Sequence, residues 1–210
     1  MGLRERKKLE TARAVRQAAI DLFLARGFDA VSVAEIAAAA NVSKMTVFNY
    51  FPRKEDLFYS QMEAFEDELV EAVRTRPPHE AVLPAFRRFI LDRSRGLGDA
   101  ERAETIAAAA RIIQGSPALQ AREREILATA TQALAEAIAG PSQTGPASLE
   151  AWVVANALMG VQRALAIHVR EAVLGGIRGP ALAASVLARA TRAFARLEHG
   201  LADYSPRRRG

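Results

Sequence analysis

The sequence predicts an all-α fold of about nine helices. Three observations carry that prediction. Ala, Leu, Arg and Glu, all strong helix formers, dominate the chain. No alternating run of β-branched residues is long enough to lay down a sheet. The glycines and prolines gather at a few punctuating places: Gly27, Phe51-Pro52, Pro77-Pro78, Gly96 to Asp99, Gly115 to Pro117, Gly140 to Pro146 and Gly175 to Pro180.

The first helix shows Val15, Ala19, Leu22 and Phe23 as a helical apolar stripe, and Gly27 stands where a glycine closes the last turn. Ser32 with Glu35 three residues later makes a capping box, and Val31 and Ile36 fall at the positions of a hydrophobic staple, so a short helix runs from Ser32 to Ala40. Asn41 tolerates the left-handed backbone of a tight turn, and Ser43 offers an N-cap hydroxyl to the next helix, Ser43 to Phe51, with Val42 and Val47 as a second staple. A longer helix begins at Lys54 and reaches toward Arg74. Further helices fill the spaces between the later breaks, ending with Leu149 to Leu174 and Pro180 to Leu201, where Pro180 suits a helix N1 position.

Two short helices joined by a three- or four-residue turn and locked by Ile36, Ala37, Val42 and Val47 describe a helix-turn-helix. The second helix of such a unit lies in the DNA major groove, and here it turns Lys44, Met45, Phe48 and Asn49 outward. Asn pairs with an adenine edge, Lys with guanine or phosphate, and Met meets a thymine methyl. Lys54 adds a separate sign. A cation in the first turn of a helix is disfavoured by roughly a few tenths of a kcal/mol, a cost that a nearby anion reverses, and backbone N–H groups at that helix start also face an anion; the plain alternative is a solvated lysine beside Glu55 and Asp56.

From Thr11 to Phe58 the chain resembles the TetR family of transcriptional repressors. The strings that carry the resemblance are Val31-Ser32-Val33-Ala34-Glu35-Ile36-Ala37, then Asn41-Val42-Ser43-Lys44-Met45-Thr46-Val47-Phe48-Asn49-Tyr50-Phe51, then Lys54-Glu55-Asp56-Leu57-Phe58. The resemblance implies an N-terminal three-helix DNA-binding domain and a helical C-terminal domain that binds a small molecule and dimerises. It makes Ser32, Ser43, Lys44, Met45, Thr46, Phe48, Asn49, Tyr50 and Lys54 the DNA-facing candidates, with Val47, Phe51 and Ile36 as core. Three positions depart from the family pattern: Met45 stands where Gly is frequent, Phe48 where Tyr is frequent, and Arg53 where Ser or Asn usually caps the fourth helix. Phe48 has no hydroxyl for a phosphate, whereas Tyr50 does.

The expected organisation is a DNA-binding domain over 1–54, an effector-binding and dimerisation domain over 55–202, and a basic tail over 203–210. Net charge is +5, from 29 Lys and Arg against 24 Asp and Glu, which suits a polyanionic partner such as double-stranded DNA and equally a solvated basic surface. There is no cysteine, hence no disulfide, thiolate metal site or cysteine nucleophile. The basic start lacks the apolar stretch of a secretory signal, and the apolar run Ala151 to Val161, broken by Asn156, falls short of the roughly twenty residues that span a bilayer. The expected setting is the cytoplasm, with no membrane partner.

Leu149 to Leu174, apolar on much of its surface, and Pro180 to Leu201, rich in Ala with Leu182, Val186 and Phe194, are the candidate homodimer interface as a four-helix arrangement, the alternative being that both bury themselves within one subunit. Met62, Phe65, Phe86, Phe89, Trp152 and Met159 are bulky enough to wall an apolar effector pocket, and each equally serves as plain core. Asn156, Arg163 and His168 are polar candidates on the eighth helix. His168 with Glu171 lacks a third metal ligand, so neither a metal nor another cofactor is expected. Gly175-Gly176-Ile177-Arg178-Gly179 follows no strand and reads as an interhelical turn. No nucleophile with a paired base, carboxylate cluster or cofactor loop appears, which argues against an enzyme. The leading expectation is a repressor released from a pseudo-palindromic operator by a small, largely apolar effector. The alternatives are an activator or DNA-organising protein with no effector and, more remotely, an all-α enzyme.

Overall fold

The computed structural model describes residues 2–140 and 147–200; the basic tail 203–210 and most of the break after Gly140 lie outside them. Among the described residues there are nine α-helices and no strand: α1 (Leu3–Arg26), α2 (Val33–Ala39), α3 (Lys44–Tyr50), α4 (Lys54–Arg74), α5 (Val82–Arg95), α6 (Ala100–Gly115), α7 (Pro117–Ala139), α8 (Leu149–Leu174) and α9 (Gly179–His199). The Gly96 to Asp99 break contains one 3-10 turn, Gly96–Gly98, rather than open loop. The last helix starts one residue ahead of Pro180, which takes its first turn as expected, and ends at His199.

The chain divides into two compact units. The first holds the described residues up to Glu66 together with Ala108–Ile126, and the second holds Asp67–Ala107 with the described residues from Leu127 onward. Helices α4, α6 and α7 each contribute one part to each unit.

In the first unit, the stripe Val15, Ala19 and Phe23 of α1 is fully buried and meets Ile36 of α2, Val47 of α3 and Leu57 of α4. Burying side chains of this size contributes about 1.5–3 kcal/mol each. Phe23 packs against Phe28 with the rings tilted by 50° and 4.9 Å between centroids. Gly27 ends α1 with φ of 80°, its N–H donating to the Phe23 carbonyl, a conformation in which a Cβ is strained. The corner between α6 and α7 belongs to this same core through Ile113, Leu119 and Ile126.

In the second unit α9 packs on α5 and α8. Phe86 of α5 and Phe194 of α9, both fully buried, meet edge-on at 6.1 Å. Arg87 and Glu198 pair across the same two helices at 2.5 Å. The turn into α9 is held by Arg178, whose Nε donates to Glu104 at 2.7 Å and whose Nη1 donates to the Val173 carbonyl. Gly179, with φ of 58°, lets that turn pass the Gly98 carbonyl, which an added Cβ would approach to 3.7 Å.

Helix α8 corrects one sequence inference. The broken run Ala151 to Val161 suggested nothing long enough to cross a bilayer, yet the 26-residue helix around it passes that test by length and composition. It is nonetheless a packing helix of the second unit: Ala151, Ala155, Leu158, Met159 and Leu165 are buried, with α9 and α5 as neighbours. Only a third of its most apolar window is buried, so one apolar face stays open.

Candidate nucleic-acid interface

The site begins at Ser32. Its Oγ accepts the Glu35 backbone N–H at 3.3 Å, while the Glu35 carboxylate accepts the Ser32 backbone N–H at 2.8 Å and its hydroxyl at 2.7 Å. The expected capping box is therefore complete. Arg26 closes the outer side by donating to Glu35 at 2.6 Å and to the Ala30 carbonyl at 3.0 Å. Hydrogen bonds from the Ser32 backbone, then the Ser32 hydroxyl, then Arg26 hold the Glu35 carboxyl down to about 2.

The turn after α2 has the geometry of a Schellman motif. Val42 N–H donates to the Ala37 carbonyl at 2.9 Å and Asn41 N–H to the Ala38 carbonyl at 3.1 Å, with Asn41 in the left-handed region at φ of 53°. Ser43 then caps α3, its Oγ accepting the Thr46 N–H at 3.0 Å and bonding the Thr46 hydroxyl at 2.8 Å. On α3 Val47 points inward and is 1% exposed, whereas Met45 is 69% and Phe48 45% exposed, with Lys44 and Asn49 exposed beside them. Thr46 and Tyr50 are half-buried at the flanks.

Lys54, at the start of α4, rests on aromatic rings. Its Nζ lies 4.1 Å from the centroid of the Phe28 ring and 5.9 Å from that of Phe23. Aromatic faces thus offset part of the cost of a cation at a helix start. Burial lowers the affinity of this amine for its proton, while Asp29, Glu55 and Glu35 act in the opposite direction.

The start of α4 has no Ser or Asn cap. The Asp56 carboxylate reaches back instead and accepts the Arg53 N–H at 2.9 Å, the second half of a capping box without the first. Asp56 is only 8% exposed, and Arg122 of α7 compensates its charge with an Nε bond at 3.0 Å. The same guanidinium donates to Glu63 at 2.6 Å and to Glu125 at 3.1 Å, and Arg53 donates to Glu125 at 2.6 Å. Hydrogen bonds from Arg122 and then Arg53 lower the Glu125 carboxyl. Two further bonds fasten the same corner: the buried Tyr59 hydroxyl donates to the Leu119 carbonyl at 3.1 Å, and Ser116 donates to Asp29 at 3.0 Å. Asp56 at the third position of α4 was a local signal open to sequence reading. Its partner, 66 positions downstream, was not.

The nine candidate effector residues are shared between the two units. Met62 packs against the core of the first unit, to which Phe65 also belongs, and the other seven lie in the second. Phe86 is fully buried against Phe194, and Phe89 lies under the Arg93 guanidinium at 5.2 Å. On α8 Met159 is buried and Trp152 half-buried, while Asn156 and Arg163 are exposed, the Asn156 amide donating to the Trp152 carbonyl at 2.8 Å. His168 is half-buried and bonds Ser185 of α9 at 3.0 Å; burial, then Arg189, lowers its pKa.

A capped helix, a Schellman turn and a second capped helix with one apolar side sunk in a three-helix core define a helix-turn-helix protein. Two family models match the chain: "Bacterial regulatory proteins, tetR family" over residues 15–60 and "MftR C-terminal domain" over residues 76–174. The chain belongs to the TetR family of bacterial regulatory proteins. It is 33% identical over 93 residues to the HTH-type transcriptional regulator TcmR of Streptomyces glaucescens, a match covering 42% of this chain and 41% of that protein. It is 28% identical over 163 residues to the putative mycofactocin biosynthesis transcriptional regulator MftR of Mycobacterium tuberculosis, covering 74% and 78%. In fold it is similar to the Thermus thermophilus repressor FadR, solved with lauroyl-CoA, at a TM-score of 0.51 and 22% identity over 95% of this chain and all of the other.

Two predictions follow from the geometry of this unit. The Glu35 carboxyl is lower in the folded state than its ordinary value of 4.5, so the stability it brings is complete above that value and lost as pH falls toward about 2. Glu35→Gln keeps an oxygen for the Ser32 N–H and hydroxyl, gives up the Arg26 bond and removes the titration, and melting curves between pH 5 and pH 2.5 are expected to fall less steeply for the variant. Arg122→Ala leaves the Asp56 charge half-stranded and is expected to lower unfolding free energy by about 2 kcal/mol, between the values for exposed and fully buried pairs. Urea titration checks this, and the double variant Arg122→Met, Asp56→Asn is expected to recover part of the loss.

Proposed function

We propose that this protein is a transcriptional repressor that binds a pseudo-palindromic operator in double-stranded DNA as a homodimer and leaves it when a small, largely apolar effector binds. The observation that carries this reading is the outer face of α3, where Lys44, Met45, Phe48 and Asn49 stand exposed on a helix held rigidly from behind by Val47. Ser32, Ser43, Thr46 and Tyr50 flank that face, suited to sugar and phosphate contacts, and Lys54, seated over Phe28, supplies a further phosphate contact.

In this reading the first unit reads DNA and the second dimerises and senses. The exposed stripe of α8 supports the dimer. Val153 is 60% and Ile167 46% exposed, and the exposed small residues Ala157, Gly160 and Ala164 lie between them at helical spacing. A Cβ added at Gly160 meets nothing within 4 Å, so that side of the helix is open to close approach by a second copy. Phe89, Trp152, Met159 and His168 are the proposed effector contacts in the second unit. FadR, of the same fold, was solved with lauroyl-CoA, which supports a small-molecule effector for this chain as well. Release requires the effector to prefer the conformation that does not fit the operator, by a coupling of about 1–3 kcal/mol, and operator and effector weaken each other reciprocally. Such a protein works in the cytoplasm, where its operator lies.

Gel-shift titration of the full chain against DNA flanking its own coding sequence tests the reading, which fails if no fragment competes above nonspecific background. Lys54→Ala is expected to reduce the slope of log affinity against log salt by about 0.9, one phosphate contact. The pair Val153→Arg, Ile167→Arg is expected to give a helical monomer by light scattering and circular dichroism, with operator affinity lost.

A further inference from the structure

The chain has no cysteine, so an oxidant that attacks sulfur meets only the thioethers of four methionines. Met1 lies outside the described residues. Met159 on α8 is 5% exposed, and Met62 on α4 is half-buried against the core of the first unit. Met45 is the opposite case. It is 69% exposed in the first turn of α3, outside the buried core of its unit. Thioether oxidation follows access, so the sulfur on the outer face of α3 is the one that reacts first. Met45 also stands at a position where Gly is frequent in the family, so this sulfur is particular to this chain.

We propose that Met45 is a reversible oxidation site, converted to the sulfoxide by hypochlorous acid, and that this conversion takes the protein off its operator without altering its fold. The inference rests on the operator-binding reading above. The sulfur lone pair takes chlorine as the O–Cl bond breaks and hydroxide leaves; water then adds to sulfur and chloride departs. Over the whole step sulfur gives two electrons to the oxidant, an S–O bond forms, and chloride and one proton are released. In the free protein the new oxygen stands in water, which satisfies it, so the core behind Val47 is untouched. Against DNA the same oxygen is a strong acceptor that loses its water in a groove rich in base-edge acceptors. A flexible apolar side chain thus becomes a polar, chiral one at the place where it must shed water.

The test treats the full chain with near-stoichiometric hypochlorous acid, maps the sulfoxides by peptide mass spectrometry, and titrates a duplex selected from randomised synthetic DNA. Met45 is expected to be oxidised ahead of Met62 and Met159, with the melting temperature kept. Affinity for the duplex is expected to fall about tenfold, the scale of one acceptor desolvated without a partner. Methionine sulfoxide reductases of both epimer specificities are expected to restore it. Met45→Leu, which keeps an apolar body without the sulfur, is expected to hold its affinity through the same treatment. The reductase arm needs no variant and decides by itself if Met45→Leu binds poorly. Oxidation at Met62 or Met159 before Met45 overturns the inference, as does a Met45 sulfoxide that binds the duplex as tightly as the parent, or a loss that persists in Met45→Leu. These outcomes leave the operator-binding reading intact, whereas a selection that enriches no sequence overturns both.

Discussion

A seven-residue helix does not hold its shape in water, because nucleation is costly and too few bonds follow to repay it. Helix α3 has that length, so its existence depends on one constraint: Val47 must sink into the core formed by α1, α2 and α4. Everything that makes the outer face useful follows from it. With Val47 fixed inside, the helical period turns Lys44, Met45, Phe48 and Asn49 outward together. The Schellman turn at Asn41 and the Ser43 cap remove the remaining freedom by tying down the ends.

The same economy governs the start of α4. Asp56 closes the first turn by taking the Arg53 N–H, but a carboxylate 8% exposed is tolerable only with a counter-charge, which Arg122 supplies. Because that guanidinium also holds Glu63, it grips α4 about two turns apart. The corner Ala108–Ile126 thus belongs to the unit that carries α3, fastened again by Tyr59 on Leu119 and Ser116 on Asp29. A residue far from the helix-turn-helix in sequence therefore sets the position of Lys54 and the helix it opens.

Legibility in the sequence followed the range of each interaction. The capping box of Ser32 and Glu35, the Asn41 turn and the Val42 and Val47 staple each span no more than six residues, and each left a pattern that could be read without coordinates. Arg122 left none, since its role depends on where α7 passes α4. Lys54 was legible as a misplaced cation, but the Phe28 face beneath it was not, because the ring comes from the segment after α1. Helix α8 read as apolar. Its two sides differ, and only packing against α5 and α9 reveals that Val153, Gly160 and Ile167 share the open one.

Amide hydrogen exchange of the full chain, with and without its operator duplex, tests most directly whether α3 is the element that meets DNA. The account predicts slowed exchange over the turn and helix from Asn41 to Tyr50 and over the first turn of α4. Slowing elsewhere in the chain, with Asn41 to Tyr50 exchanging as fast as in the free protein, would contradict it.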